Sequence, residues 1–404
     1  MKLLFIADGR SPIALNWIEY FVAAGYQVHL VSTFACTPQI ELASLEIIPV
    51  AYNGVGQASL TGDSQSRSES ALRKLLPVGA RTNLRRWLAP LTIPAAARKL
   101  KQHILHLKPD LIHAMRIPFE GMLAADALED LPSIPLIVSV WGNDFTLHAP
   151  ATPWMGRYTR KALHRADALH ADCQRDVRLA RQWGFAQDRL AFVLPGAGGI
   201  QTDLFYPAVD QAATPGGQER FRVVNPRGIR SYVRNDTFFR SIPLVRQYYP
   251  QIEFFCPAML DEPQARRWLE ELNLNQGVEL LPRQTRPQMA ELFRRAQVVV
   301  SPSEHDGTPN TLLEAIACGC FPVAGDLESI RDWIIPGVNG LLFDPASPQQ
   351  LADAIANAYR QPELRQTARE KNLRLVSERA EHGLVMSKAE TIYRELDLER
   401  PGRL

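Results

Sequence analysis

The amino-acid sequence predicts an α/β protein with two doubly wound parallel sheets. Short apolar runs alternate with longer amphipathic segments, which is the pattern of strands covered by helices on both faces. Residues 206–219 interrupt this alternation with two prolines, two glycines and little apolar content, so they are a predicted linker. The chain has 404 residues, 46% of them hydrophobic, which suffices for two separate cores.

The first series of elements predicts an N-terminal domain over residues 1–205. An amphipathic helix at 13–24 follows the first strand and ends at Gly25. The predicted strands are short apolar runs at 2–7, 27–32, 111–114, 136–140 and 168–171. Residues 53–100 form a basic segment that we expect to be mobile, because its part at 54–70 is rich in Gly, Ser and Gln.

The second series predicts a C-terminal domain over residues 220–378. Its predicted strands are again short and apolar, at 222–225, 253–256, 278–281, 298–301 and 321–324. Its predicted helices lie at 236–248, 263–272, 287–295, 312–318, 347–359 and 365–379. A last amphipathic helix is predicted at 382–396.

The most informative segment joins the strand at 298–301 to the helix at 312–318. A polar turn lies between them, and the free N–H groups and dipole of a helix N-terminus favour an anion there. Phosphate is the natural ligand. The residues expected to hold it are consecutive: Gly307, Thr308, Pro309, Asn310 and Thr311.

Two carboxylates flank this turn and can face one ligand. Asp306 lies in the turn, and Glu314 lies about one helical turn inside the helix. Beside a phosphate they suit the hydroxyls of a ribose or a sugar, and each such charged hydrogen bond contributes about 1.5–3 kcal/mol. The alternative interpretation is an N-cap aspartate and a solvent-facing glutamate.

This segment resembles the family 4 (group 1) glycosyltransferases of the GT-B fold. Those enzymes have an acidic residue, seven further residues, and a glutamate that opens the run Glu-Ala-x-Ala-x-Gly-x-x-Pro-Val. Here the run extends from Glu314 to Val323, and Asp306 stands where the family usually has glutamate. The resemblance continues at 325–332 and 337–343.

The resemblance implies two facing Rossmann-like domains with an interdomain cleft. The N-terminal domain would take the acceptor, and the C-terminal domain would take a nucleoside-diphosphate sugar. Residues 379–404 would contain a helix that crosses back to the N-terminal domain.

Cations for the phosphates are expected in the loop after the strand at 222–225, which carries Arg227, Arg230 and Arg234. The resemblance assigns the donor diphosphate to Arg227 and Arg234. Leu281 and Arg283 stand where the family's backbone brackets the nucleotide base. The alternatives are a solvated basic loop and a surface arginine.

Three strand ends could line the acceptor side, those at 9–11, 113–116 and 141–144. Relatives often carry histidine where Trp141 stands, so we hypothesise that Asn143 and Asp144 contact hydroxyls of the acceptor or the sugar. A helix N-cap is the other interpretation of Asp144. For His113 we expect a structural role.

The resemblance implies transfer with retention of configuration and without a protein nucleophile. No Asp-x-Asp occurs in the chain, so we expect no metal and no cofactor, with arginines and a helix dipole stabilising the leaving diphosphate. Two other functions stay open: a nucleotide-sugar epimerase or hydrolase, and a non-catalytic scaffold that binds nucleotide sugars.

The overall charge and the cysteines limit partners and location. A net charge of +2 gives no electrostatic case for nucleic acid. Five cysteines without a Cys-x-x-Cys pair favour a reducing compartment. No apolar run approaches the roughly 20 residues of a membrane span, so a cytoplasmic protein is expected.

Between residues 64 and 101, nine basic residues accompany a single glutamate and are interleaved with leucines and a tryptophan. This pattern is typical of an interfacial segment near anionic lipids. It predicts peripheral contact through 67–101 with the inner face of the membrane, and a glycan or lipid-linked acceptor. The alternative is an ordinary solvated face.

Overall fold

The computed structural model describes residues 1–50, 87–208, 220–274 and 276–398. The chain divides into two units, Met1–Gly198 together with Met386–Leu404, and Gly199–Val385. Most of the segment predicted at 53–100, and all but three residues of the linker predicted at 206–219, lie outside the described residues. Each unit contains one parallel sheet and its helices, which confirms the predicted α/β fold class.

The first unit has a seven-stranded sheet in the order β3-β2-β1-β4-β5-β6-β7. Its strands are β1 (Lys2–Ala7), β2 (Gln27–Ser32), β3 (Ser44–Ile47), β4 (Leu111–Ala114), β5 (Leu136–Val140), β6 (Ala168–Ala171) and β7 (Leu190–Val193). Its helices are α1 (Pro12–Ala23), α2 (Ile93–Leu107), α3 (Met122–Ala127), α4 (Pro153–Arg165) and α5 (Gln174–Gln182).

The second unit has a six-stranded sheet in the order β10-β9-β8-β11-β12-β13. Its strands are β8 (Arg222–Val224), β9 (Glu253–Cys256), β10 (Val278–Leu280), β11 (Val298–Ser301), β12 (Phe321–Gly325) and β13 (Leu341–Phe343). Its helices are α6 (Asn235–Arg246), α7 (Pro263–Glu271), α8 (Arg286–Arg294), α9 (Asn310–Ala317), α10 (Pro348–Arg360) and α11 (Pro362–Arg379).

The sequence pattern identified the central strands but not every edge strand. All four residues of β11 are buried, as in a strand covered on both faces. In contrast, β3 and β7 are short and largely unburied, and they lack the continuous apolar run that the prediction used. The same applies to β13, which lies in the segment 337–343 for which the sequence analysis predicted no strand. The sequence analysis predicted none of α2 to α5. Helix α2 begins inside the segment expected to be mobile, α3 has only six residues, and α4 and α5 carry several basic residues beside their apolar positions.

The last helix, α12 (His382–Leu398), contributes its later part to the first unit. Tyr393 is fully buried there, and its hydroxyl accepts the indole N–H of Trp17 at 2.9 Å. Among the described residues, no helix combines the length and the apolar character needed to cross a bilayer.

Candidate functional site

In both sheets the order of the strands reverses at the first strand, which forms a topological switch point. In the second unit β8 lies between β9 and β11, and in the first unit β1 lies between β2 and β4. In an open parallel sheet the loops after the strands on either side of this point diverge and leave a crevice for ligands. The predicted residues for the donor phosphates and sugar follow β8 and β11, those for the nucleotide base follow β10, and the predicted acceptor residues follow β1, β4 and β5.

An ion pair joins the loops after β8 and β11. An Nη of Arg227 lies 2.6 Å from a carboxylate oxygen of Asp306, and its other Nη donates to the Thr311 hydroxyl at 3.2 Å. Arg227 is only 8% exposed. The structure thus brings together three residues that the sequence assigned to one site, and it places a held guanidinium beside the N-terminus of α9.

Several buried polar atoms of these loops have no hydrogen-bond partner among the described residues. They are Nε of Arg227, the hydroxyl oxygens of Ser301 and Ser303, and Oδ1 of Asn310. Buried polar groups in folded proteins are nearly always paired, and an unpaired group calls for a partner such as a ligand. A polar ligand placed between β8, β11 and α9 could pair with these four atoms.

The turn between β11 and α9 is fixed by hydrogen bonds from a later segment. Ser329 donates its hydroxyl to the carbonyl of Asp306 at 2.7 Å, and the Trp333 indole donates to the Thr308 hydroxyl at 2.9 Å. Helix α9 starts at Asn310. Its N-cap residue, Pro309, makes no side-chain capping hydrogen bond within the described chain. The positive end of its dipole therefore stays available for an anion.

A glycine allows the loop after β11 to lie against β12. A Cβ on Gly325 would lie 2.4 Å from the carbonyl oxygen of Ser303, which no real Cβ could do without movement of the backbone. Gly325 therefore sets the position of the loop that leads to Asp306.

Glu314 projects from α9 and is largely buried, with Arg286 as its nearest cation at 3.7 Å. Burial raises the pKa of Glu314 to about 7, against the opposing effect of Arg286. The carboxyl group can thus exist in both protonation states near neutral pH. Arg286 was not singled out from the sequence, because its partner is distant along the chain.

Arg234 and Arg230 differ from Arg227 in their partners. Arg234 makes a two-point contact with Asp236, at 2.9 and 2.8 Å, and this hydrogen bonding raises its pKa. Glu304 lies 3.8 Å from the same guanidinium. Arg230 is exposed and donates to the Tyr232 hydroxyl at 2.9 Å. Of the three arginines, Arg227 is thus the one that contacts the N-terminal turn of α9, through the Thr311 hydroxyl.

The strand end at Leu281 is occupied by a neighbouring loop. The carbonyl of Leu281 accepts the backbone N–H groups of Met259 and Leu260, both at 3.1 Å. Its own N–H donates to the carbonyl of Cys256 at 3.0 Å. Arg283 lies two residues later and is exposed.

In the first unit, a cavity of about 340 Å³ lies at the carboxyl ends of β1, β4 and β5. Its lining combines charged side chains with apolar and aromatic ones: Asp8, Arg10, Ser11, Phe34, Met115, Arg116, Pro118, Phe119, Glu120, Trp141 and His148. The buried indole N–H of Trp141 finds no acceptor in the described part of the chain. All three strand ends that the sequence suggested for an acceptor contribute to this cavity.

Asp144 is buried and holds Arg116. Its carboxylate accepts from Nε of Arg116 at 2.9 Å and from the backbone N–H of Trp141 at 3.0 Å. The guanidinium also donates to the side-chain oxygen of Asn143 at 2.8 Å. Burial raises the pKa of Asp144, and Arg116 opposes this effect. The geometry places Asp144 behind Arg116, which itself lines the cavity.

Glu120 is a second buried carboxyl group and was not identified from the sequence. It accepts the Thr33 hydroxyl at 2.6 Å and the Phe119 backbone N–H at 2.8 Å. Burial raises its pKa to about 7. Only its position after a buried segment, in an otherwise apolar stretch, could have drawn attention to it.

His113 has the structural role that the sequence favoured. It is fully buried, and its ring nitrogens bond to the hydroxyls of Tyr393 and Ser139. Ser139 continues the chain to His170 at 2.8 Å, and His170 bonds to the carbonyl of Leu194 at 3.0 Å. Burial lowers the pKa of both histidines, so they are neutral at pH 7.

Family models match most of both units. Residues 9–196 match the model described as "Glycosyl transferase 4-like domain", and residues 260–374 match that of "Glycosyl transferases group 1". The second match contains the turn with Asp306 and the helix with Glu314.

A curated relative is the D-inositol 3-phosphate glycosyltransferase of Pseudarthrobacter chlorophenolicus, 28% identical over 200 residues. The match covers 47% of this chain and 46% of the relative, so the chain spans about half the length of that protein.

Two solved structures share the whole fold. Sucrose-phosphate synthase from Thermosynechococcus elongatus is 17% identical with a TM-score of 0.73, and 98% of this chain and 99% of that chain are covered. Anabaena HepE in complex with UDP-glucose is also 17% identical, with a TM-score of 0.69 and coverage of 97% and 99%. The family matches and the shared fold show that this chain belongs to the group 1, family 4-type glycosyltransferases of the GT-B fold.

Proposed function

We propose that this chain transfers a glycosyl group from a nucleoside-diphosphate sugar to an acceptor hydroxyl. The observation that carries the proposal is the buried Arg227–Asp306 pair beside the uncapped N-terminus of α9. A cation, a helix dipole and unpaired buried polar atoms suit a diphosphate, and the nearby Glu314 suits a ribose hydroxyl.

Arg227 and the backbone of residues 307–311 would hold the diphosphate. As the bond to the sugar breaks, negative charge grows on the leaving diphosphate, and fixed donors around it lower the barrier. Arg234 and Arg230 would add longer-range attraction, because Asp236 already engages Arg234. These charges would let the reaction proceed without a metal or a cofactor.

The two carboxylates would contact hydroxyl groups of the donor. Glu314 would accept from the ribose, and Asp306 would accept from the transferred sugar while it keeps Arg227 in place. The backbone groups of Leu281 are engaged by neighbouring residues, so the base would lie against the exposed Arg283 beside it. We propose retention of configuration, which proton NMR of the fresh product would test through the coupling constant of its anomeric proton.

The cavity of the first unit would receive the acceptor. Its arginines and carboxylates suit a polyhydroxylated molecule, and Trp141 offers a free indole N–H and an apolar face. Asp144 would act by positioning Arg116 rather than by direct contact. A glycan or a lipid-linked glycan fits this chemistry.

A lipid-linked acceptor would require contact with the inner face of the membrane. Trp87 and Leu91 are 53% and 60% exposed just before α2, and Arg98 and Lys99 are exposed on that helix. Apolar and basic side chains together favour an anionic bilayer. Sedimentation with phosphatidylglycerol vesicles, but not with phosphatidylcholine vesicles, is the expected result, and W87S/L91S should reduce it.

The proposed donor site is tested by calorimetric titration with UDP-, GDP- and ADP-sugars. Arg227→Lys keeps the charge but loses the two-pronged guanidinium, so we expect donor affinity to fall about tenfold or more. Arg266→Lys is the matched control, since Arg266 is an exposed arginine on α7. Equal affinities of the two variants would contradict the assignment of Arg227.

The reaction is tested by release of nucleoside diphosphate from the donor that binds best. Release that depends on an added acceptor supports transfer and should persist in EDTA. Release without an acceptor would indicate a hydrolase, and binding without any release would indicate a scaffold.

A further inference from the structure

A short segment between β12 and β13 contacts the turn that is proposed to hold the donor phosphates. It consists of Ser329, a single helical turn at Ile330–Asp332, and Trp333. The segment and the turn both belong to the second unit. Ser329 is fully buried and Trp333 is 5% exposed. Side chains this deeply packed have little freedom to move, so they can fix the groups that they contact.

Ser329 acts on the backbone of Asp306. Its hydroxyl donates to the Asp306 carbonyl at 2.7 Å. The carboxylate of the same aspartate lies 2.6 Å from the guanidinium of Arg227. Because a short side chain follows the backbone that carries it, the hydroxyl of Ser329 helps to place the carboxylate that meets Arg227.

Trp333 acts on the turn two residues later. Its indole N–H donates to the Thr308 hydroxyl at 2.9 Å, and Thr308 directly precedes the N-cap of α9. The two hydrogen bonds therefore hold the turn on both sides of Gly307. Glycine has more backbone freedom to lose than any other residue, so contacts from outside the turn matter most at such a place.

Trp333 is itself held by other parts of the second unit. The side-chain amide of Asn339 donates to the Trp333 carbonyl at 2.9 Å and also to the side chain of Asn372 at 2.9 Å. The guanidinium of Arg379 lies 4.5 Å from the centre of the Trp333 ring. Asn372 and Arg379 are residues of α11, which is 18 residues long. The indole thus connects Thr308 to a regular helix rather than to another loop.

We infer that Ser329 and Trp333 are positioning residues for the donor diphosphate. They hold the backbone of residues 307–311 in the binding arrangement before the anion arrives. A turn that is ordered in advance loses less conformational entropy on binding than a loose one, so the same contacts give a higher affinity. The inference rests on the proposed function, in which the ligand of this turn is a nucleoside-diphosphate sugar.

Two substitutions remove one hydrogen bond each, and each has a matched control. Ser329→Ala is paired with Ser241→Ala, because Ser241 is also fully buried and its hydroxyl also donates to a backbone carbonyl at 2.7 Å. Trp333→Phe is paired with Trp17→Phe in the first unit, because the buried indole of Trp17 also donates to a hydroxyl at 2.9 Å. Urea unfolding compares the stability within each pair. Calorimetry with the nucleotide sugar that the wild type binds best measures donor affinity.

We expect Ser329→Ala and Trp333→Phe each to bind the donor about tenfold more weakly than the wild type. Ser241→Ala and Trp17→Phe should bind it as the wild type does, although they lose a bond of the same kind. Hydrogen–deuterium exchange provides a measurement without ligand. Peptides that cover residues 307–311 should exchange faster in Trp333→Phe than in Trp17→Phe, because the turn opens more often.

Donor affinities of Ser329→Ala and Trp333→Phe that equal those of their controls would overturn the inference. The proposed function would survive that result if Arg227→Lys still weakened donor binding. Equal exchange of residues 307–311 in Trp333→Phe and Trp17→Phe would also overturn the inference, whether or not a donor binds. A wild type that binds no nucleotide sugar would overturn the proposed function and this inference together.

Discussion

Single residues decide the charge balance of the candidate donor site. Arg227 is only 8% exposed, and Asp306 is its carboxylate partner. The family usually has glutamate at that position. The carboxylate of the shorter aspartate accepts a hydrogen bond from the guanidinium of Arg227, so one of its oxygens is engaged within the protein.

Asp306→Asn should reduce stability because it removes the counter-ion of a buried guanidinium. We expect a loss of about 1–3 kcal/mol in the free energy of unfolding, measured by urea titration. A nucleotide sugar should restore part of the loss, since its phosphates bring negative charge to Arg227. Asp261→Asn, at an exposed pair with Arg266, should leave stability nearly unchanged.

Glu314 should make donor binding depend on pH. Its pKa of about 7 means that the carboxyl group is mostly protonated below pH 7 and mostly ionised above it. A ribose hydroxyl donates more strongly to the ionised form, so donor affinity should rise about fivefold as the pH increases through 7. The phosphates of a nucleotide sugar are diesters and stay ionised throughout. Calorimetry between about pH 6 and 8 measures the effect.

Glu314→Gln should remove this pH dependence of donor affinity. Glu120 has a pKa in the same region but lies in the first unit, so Glu120→Gln should leave the profile unchanged. A profile that persists in Glu314→Gln would assign the titration to another group.

At the level of elements, the carboxyl ends of parallel strands position the residues of the candidate donor site. Strands β8 and β11 are fully or mostly buried and rigid, and each delivers its polar residues directly after the last apolar one. The loop after β11 owes its place to close backbone contact with β12 at Gly325. The position of the candidate site thus depends on this close contact, together with the hydrogen bonds from Ser329 and Trp333 to the turn.

Gly325→Ala should lower both stability and donor affinity. The new Cβ would collide with the Ser303 carbonyl at 2.4 Å, so the loop before Asp306 must shift. We expect a loss of about 1–3 kcal/mol in the free energy of unfolding, measured by urea titration. Gly383→Ala is the control, because its Cβ would meet only the movable Glu381 side chain, at 3.3 Å. Similar effects of the two changes would contradict this account.

At the scale of the whole molecule, each unit repeats one arrangement of strands around its first strand. The sequence predicted the central strands of both sheets, because buried parallel strands are continuous apolar runs. It did not predict β3, β7 or β13, whose residues are partly exposed and carry a weaker signal.

Pairs of residues distant in the chain also escaped prediction. The turn around Asp306 was visible because strand, turn and helix are adjacent in sequence. Arg286 and Glu314, or Thr33 and Glu120, meet only through the tertiary fold. Which of three neighbouring arginines faces α9 likewise follows from packing rather than from spacing.

Tyr393→Phe should destabilise the first unit. The change leaves the indole N–H of Trp17 and a ring nitrogen of His113 without their partner in a fully buried place. We expect a cost of about 1–3 kcal/mol in chemical unfolding followed by tryptophan fluorescence. Tyr359→Phe, whose hydroxyl accepts from the exposed Gln251, should cost much less. Equal costs would mean that the buried hydroxyl contributes no more than a surface one.

The position of Tyr393 also affects the order of events during synthesis. A ribosome produces residues 1–198 long before residue 393, so the nascent first unit carries a buried indole and imidazole whose phenol partner does not yet exist. The second unit, Gly199–Val385, is complete in sequence before that partner appears. The N-terminal unit is therefore expected to reach its final stability only after the second unit has been synthesised.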